Sequence, residues 1–149
     1  MSSLFAFLHH IAAFALIASL ATESVLLRET LSLSIARKLR VADMIYGIAA
    51  GVVLVVGFSR VLLFEKGASY YFSNVPFMLK IMLFLMIGIL SIFPTLEFLS
   101  WRRAIGAGQG PNVSTRKLQK MKWIIHLELA AAVALMLCAV LMARGVGSV

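Results

Sequence analysis

The chain has 149 residues, 62% of them hydrophobic and only 13% charged, with a mean hydropathy of +0.99 and a formal net charge of +8. A soluble domain is about 45–50% apolar and about 25% charged, so soluble enzymes, disordered chains, collagen-like fibres and disulfide scaffolds are all excluded. Only a bilayer accepts this composition as its solvent.

Four apolar stretches predict four spans, at about 4–27, 42–64, 75–101 and 121–143, each long enough for the roughly 20 residues that cross the hydrocarbon. They fill residues 1–149, which predicts a single all-α membrane domain, a four-helix bundle. The first span carries His9, His10 and Glu23. Ser19-Leu20-Ala21 is a candidate cleavage site, but Met1-Ser2-Ser3 has no basic start, so this segment reads as a retained span. Arg28, Arg37, Lys38 and Arg40 lie in or beside the first loop.

Span two opens on Asp43 and holds Arg60 near its far end. Its Gly47-Ile48-Ala49-Ala50-Gly51 run has small residues four apart, a spacing that suits close helix approach. A short turn, Glu65–Ser69, follows, and Tyr70, Tyr71, Trp101 and Trp123 fall near span ends as interfacial aromatics. Span three carries Lys80 at its start, then Pro94, which predicts a kink, and Glu97. The third loop reads as flexible over Gly106–Asn112, and Arg102, Arg103, Arg116, Lys117, Lys120 and Lys122 flank or fill it. Span four carries His126, with Glu128 turned to the opposite face and assigned to a basic loop partner. Cys138 stands alone in an apolar run, so neither a disulfide framework nor a Cys-based metal site is expected.

Ten of the fourteen basic residues fall on the side of the first and third loops. The positive-inside rule then predicts those loops in the cytoplasm, both termini outside, and a multi-pass protein of the bacterial inner membrane. The +8 charge is mostly topology, with membrane lipids as its partner. No recognition element accompanies it, so nucleic acid is not expected as a partner.

Ionisable groups inside the spans sort by depth. His9 and His10 lie about 8 Å from the outer edge, Arg60 about 6 Å and Lys80 about 7 Å, at 1.5 Å per residue. Three helices thus bring nitrogenous groups to one outer level with no carboxylate among them. Glu23, Asp43, Glu97 and His126 form a second layer toward the cytoplasmic side. Helical phase places His9, Ala12, Leu16, Ser19 and Glu23 on one face, Asp43, Tyr46, Ala50, Val53, Gly57 and Arg60 on another, and Lys80, Phe84, Ile87, Ser91 and Phe98 on a third. Each polar residue also has a plain structural reading. Lys80 and Arg60 can snorkel to headgroups, and Glu23, Glu97 and His126 can glue helices by hydrogen bonds.

Leu8-His9 opening span one, with a small residue at Ser19, and Phe77-Met78-Leu79-Lys80 opening span three resemble the HemJ-type protoporphyrinogen oxidases. More broadly they look like the superfamily that includes the CopD-type copper-resistance membrane domain. The whole chain is similar to a group of small bacterial four-span membrane proteins with a His-His pair at the start of span one. By that resemblance His9 and Lys80 are the haem-associated residues. The chemistry of the outer layer also suits a haem b, with His9 or His10 as an iron ligand, Lys80 as the opposite ligand or a propionate partner, and Arg60 as a propionate partner. An electron-transfer or oxidoreductase role follows, with porphyrinogen or quinol as the small-molecule redox partner. The aromatic-rich Trp/Gly stretch usual after the first-span His is replaced here by Ala13–Ser19, and the Glu23–Glu97–His126 set is outside the family pattern. Two other readings stand beside it: a small ion, metal or proton transport module using the acidic layer, and a structural subunit assembling as a homo-oligomer through the span-two glycines.

Overall fold

The structure, a computed structural model, describes residues 2–63 and 75–144. Its elements are α1 (Ser2–Leu26), α2 (Leu33–Leu63), α3 (Val75–Ser100), the short α4 (Arg102–Gly106) and α5 (Thr115–Ala143), with no strand among the described residues. Four of these, α1, α2, α3 and α5, are long and apolar enough to cross a membrane. The Glu65–Ser69 turn, Tyr70 and Tyr71 lie outside the described residues.

Two antiparallel helix pairs build the bundle. α1 lies along α2, and α3 along α5; α1 also meets α5, and α2 meets α3, which closes a four-sided arrangement. Small residues let these backbones approach. Ala12, Ala42, Ala49, Ala131 and Ala132 are all buried at the contacts, as expected where packing rather than water exclusion holds helices together. Toward the end that carries the basic residues the core thickens. Ala36, Leu39, Phe98, Met121 and Ile125 are completely buried there, with Leu27, Ile35 and Trp101 beside them. Large apolar side chains such as Phe14, Ile48, Met82, Ile89 and Val133 face outward, toward lipid.

The faces follow the predicted phase. Ala12, Leu16, Ser19 and Glu23 are buried on α1, as are Asp43 and Tyr46 on α2 and Ile87 and Phe98 on α3. The small-residue run of α2 does not point inward at its two glycines. Gly47 and Gly51 are exposed, and a side chain built at either meets nothing within 4 Å, so they point away from the bundle.

Helix starts differ from those implied by hydropathy. α2 begins at Leu33 rather than near Ala42, because Ser32 caps it: its Oγ accepts from Ile35 N at 3.3 Å and its carbonyl from Ala36 N at 2.9 Å. Ser114 does the same for α5, accepting from Lys117 N at 3.4 Å. Arg37, Lys38, Arg40, Arg116, Lys117, Lys120 and Lys122 therefore stand on helices rather than in loops. α3 continues through Pro94 to Ser100.

The third loop is also more ordered than its glycines suggest. Gly108, at φ +73°, closes α4 in a Schellman turn, with Gly108 N donating to the Ile105 carbonyl at 3.1 Å and Gln109 N to the Ala104 carbonyl at 2.9 Å. Gly110 then lies against the first loop, where a Cβ would sit 3.3 Å from Leu33 N. The two loops at this end are thus packed on one another. Gly108→Ala forces a side chain into the left-handed region and costs about 1 kcal/mol. A thermal midpoint in detergent checks this, and an unchanged midpoint counts against the turn.

Candidate functional site

Three carboxyl groups converge inside the bundle, each on a different helix. Glu23 of α1, Asp43 of α2 and Glu128 of α5 have relative exposures of 2%, 9% and 1%. Glu23 stands within charge range of both Asp43 and Glu128, and Glu128 within charge range of Asp43. Their positions follow from phase. Glu23 continues the buried Leu16–Ser19–Leu20 face, and Glu128 continues a stripe of Met121, Ile125 and Ala132.

Their partners are few. Asp43 Oδ1 accepts a 2.6 Å hydrogen bond from Thr95 Oγ1 of α3, and Arg40 is near enough for its charge to act on Asp43. The Oε1 atoms of Glu23 and Glu128 are buried and have no hydrogen-bond partner. Around them is a hydroxyl shell. Tyr46 is buried near Ser91, whose Oγ donates to the Gly88 carbonyl at 2.8 Å. Ser19 Oγ donates to the Ala15 carbonyl at 2.8 Å. Among the described residues no three His, Cys, Asp or Glu side chains are arranged to hold a metal ion.

The other members of the expected acidic layer stand apart. Glu97 reaches toward the third loop, where its Oε2 pairs with Lys117 Nζ at 2.9 Å and its Oε1 accepts from the Trp101 indole at 3.3 Å. His126 is exposed. Its Nδ1 donates to the Lys122 carbonyl at 2.6 Å, which in the neutral ring leaves Nε2 to accept from Ser24 Oγ at 3.5 Å. It touches the rim of the acidic site through Ser24, the neighbour of Glu23. Glu128, expected to pair with a basic loop residue, is the most buried carboxyl among the described residues.

The nitrogen-rich layer lies at the other end. His9 is half-buried and rests on α2, with its ring Cε1 3.5 Å from where a Gly57 Cβ would be. His10 is exposed and its Nδ1 donates to the Ala6 carbonyl of its own helix at 2.6 Å. The two rings meet edge to face at 6.1 Å. Lys80 is half-buried on α3. Arg60 falls in the final turns of α2, and its side chain lies outside the described set.

About 21 Å of helix separates His9 from Glu23, at 1.5 Å per residue, and the interval is lined by Ala12, Leu16, Ala49, Ile87 and Ala132. Two polar layers separated by a largely apolar interval, with Ser19 as its buried hydroxyl on α1, are therefore the chemical content of the bundle. No curated protein and no solved structure matches the chain. Residues 1–147 match the family model described as predicted membrane protein DUF2214, and the chain belongs to that family.

Proposed function

We propose that the protein is a proton-handling membrane module in which Glu23, Asp43 and Glu128 take up and release protons within the bundle. One observation carries this reading: the Oε1 atoms of Glu23 and Glu128 are buried without a hydrogen-bond partner, in a site shared by three like-charged groups. In a low-dielectric interior such a group is expensive unless something compensates it, and ionisable residues inside spans are functional candidates for that reason. No cationic side chain is in ion-pairing reach of Glu23 or Glu128 among the described residues, so their charge balance has to come from a bound proton or a small cation. Among the described residues no three-ligand metal arrangement is present, and three carboxyls with two unpartnered oxygens suit a proton. His126 and Ser24 mark the route from the rim to Glu23, with the basic end on the cytoplasmic side of a bacterial inner membrane.

The test is flux. Reconstituted protein is expected to dissipate a pH gradient across vesicles loaded with a pH-sensitive dye, and Glu128→Gln to reduce that rate about tenfold or more. A wild-type rate no faster than that of empty vesicles sinks the reading.

A second reading is favoured by the facing of the two histidines. His9 turns onto α2 and His10 turns outward, so the imidazole available to a ligand within the bundle is that of His9. His9 with Lys80 would hold the iron of a haem b, and Arg60 a propionate, with porphyrinogen or quinol as substrate. Haem would supply one-electron chemistry there. The residues present fit in donor chemistry: one imidazole and one amine, on diagonal helices. This reading expects a Soret band in the purified protein, lost in His9→Ala; a colourless protein after haem supplementation counts against it.

A further inference from the structure

Where α2 meets α3 and α4, a cleft of about 490 Å³ opens on the bundle surface. Val41 and Met44 of α2, Phe98 and Leu99 of α3, and Ile105 of α4 form its apolar walls. Arg37 and Arg40 line it toward the start of α2, one helical turn apart and on one side. Val41, Met44 and Leu99 are 51%, 59% and 49% exposed, so the walls are open to whatever surrounds the bundle at this depth.

The charges around the cleft are unequal. Asp43 lines its inner end, but its Oδ1 is engaged by Thr95, and Arg40 lies within reach of its charge. Glu97 is held by Lys117 and Trp101. Arg37 has no ion-pair or hydrogen-bond partner among the described residues. A planar guanidinium pair above an apolar trough is complementary to a molecule with an anionic phosphate head and a hydrocarbon tail.

We infer that this cleft is a binding site for an anionic glycerophospholipid, its phosphate held by Arg37 and Arg40 and one acyl chain lying between Val41, Met44 and Leu99. A zwitterionic lipid fits less well, because its headgroup ammonium is repelled by the arginines that attract its phosphate. Bound there, the lipid joins α2 to α3, the helices of the two pairs that meet along a short contact.

The experiment uses the full-length protein in detergent, titrated with phosphatidylglycerol or phosphatidylcholine and read by native mass spectrometry. Phosphatidylglycerol is expected to bind in preference. Arg37→Gln with Arg40→Gln is expected to weaken that binding by roughly 30-fold, and Arg37→Gln alone, at an exposed position that folding tolerates, by roughly 5-fold. Arg28→Gln with Arg116→Gln removes the same charge from exposed positions away from the cleft and is expected to change little. Equal losses in the two double variants, equal affinity for the two lipids, or no loss in Arg37→Gln overturns the site. These outcomes are independent of proton flux.

Discussion

Phe98→Ala is expected to lower the stability of the bundle by about 3–5 kcal/mol, the range for emptying an aromatic-sized site in a core that cannot collapse. Phe98 is completely buried and makes an edge-to-face contact with Trp101, the ring centroids 5.0 Å apart at 73°. Its loss also loosens the indole that donates to Glu97, and with it the end of α3. The cost comes from dispersion and ring contacts rather than water exclusion, since lipid is as apolar as the core. A control on the same helix isolates packing. Leu96 is 60% exposed on the outer face, so Leu96→Ala is expected to stay within about 0.5 kcal/mol of wild type. Unfolding by denaturing detergent in mixed micelles measures both, and similar costs for the two variants rule out an inward Phe98 and an outward Leu96.

That facing was legible in the sequence on three helices for a simple reason. Polar and small residues are rare in these spans, so Ser19, Glu23, Asp43, Tyr46 and Ser91 mark the interior by their spacing. The signal fails where small residues alone are consulted. Gly47 and Gly51 are four apart, yet they face outward, while Ala42, Ala49 and Tyr46 carry the contact. A helix surrounded by lipid is apolar on both faces, so there is little hydrophobic contrast to arbitrate. Helix starts were hidden for a different reason. Hydropathy reports where the bilayer begins, whereas Ser32 and Ser114 fix where the helix begins, in the polar turns before it.

The acidic site shows what depth alone misses. Glu23, Asp43, Glu97 and His126 share a level, but a level is a ring and the interior is one side of it. Lys117 draws Glu97 toward the loop, and His126 is exposed. Glu128 was readable from the Met121–Ile125–Glu128–Ala132 spacing, a stripe of three- and four-residue steps that choosing His126 as the interior residue turns outward. The orphaned Oε1 atoms were beyond sequence altogether, because satisfaction of a buried group depends on neighbours from other helices.

Glu128→Leu is expected to make the protein more stable and to abolish proton flux in the same variant. The carboxyl it removes is buried, has an unpartnered oxygen and stands within charge range of Glu23 and Asp43. An apolar group of similar length relieves a desolvation cost of about 1–3 kcal/mol without orphaning a donor. Asp43→Leu separates relief of charge from mere added apolarity. Asp43 accepts from Thr95 at 2.6 Å, so its removal strands that hydroxyl, and its stability is expected to fall below that of Glu128→Leu. Denaturing-detergent unfolding gives the order, and vesicle assays on the same preparations give flux. A group kept at a site where it weakens the fold is what a functional carboxyl looks like, because selection for activity tolerates local instability. If instead Glu128→Leu loses about 2 kcal/mol or more, the carboxyl is holding the helices together. The acidic cluster would then be the glue of the bundle rather than its working part.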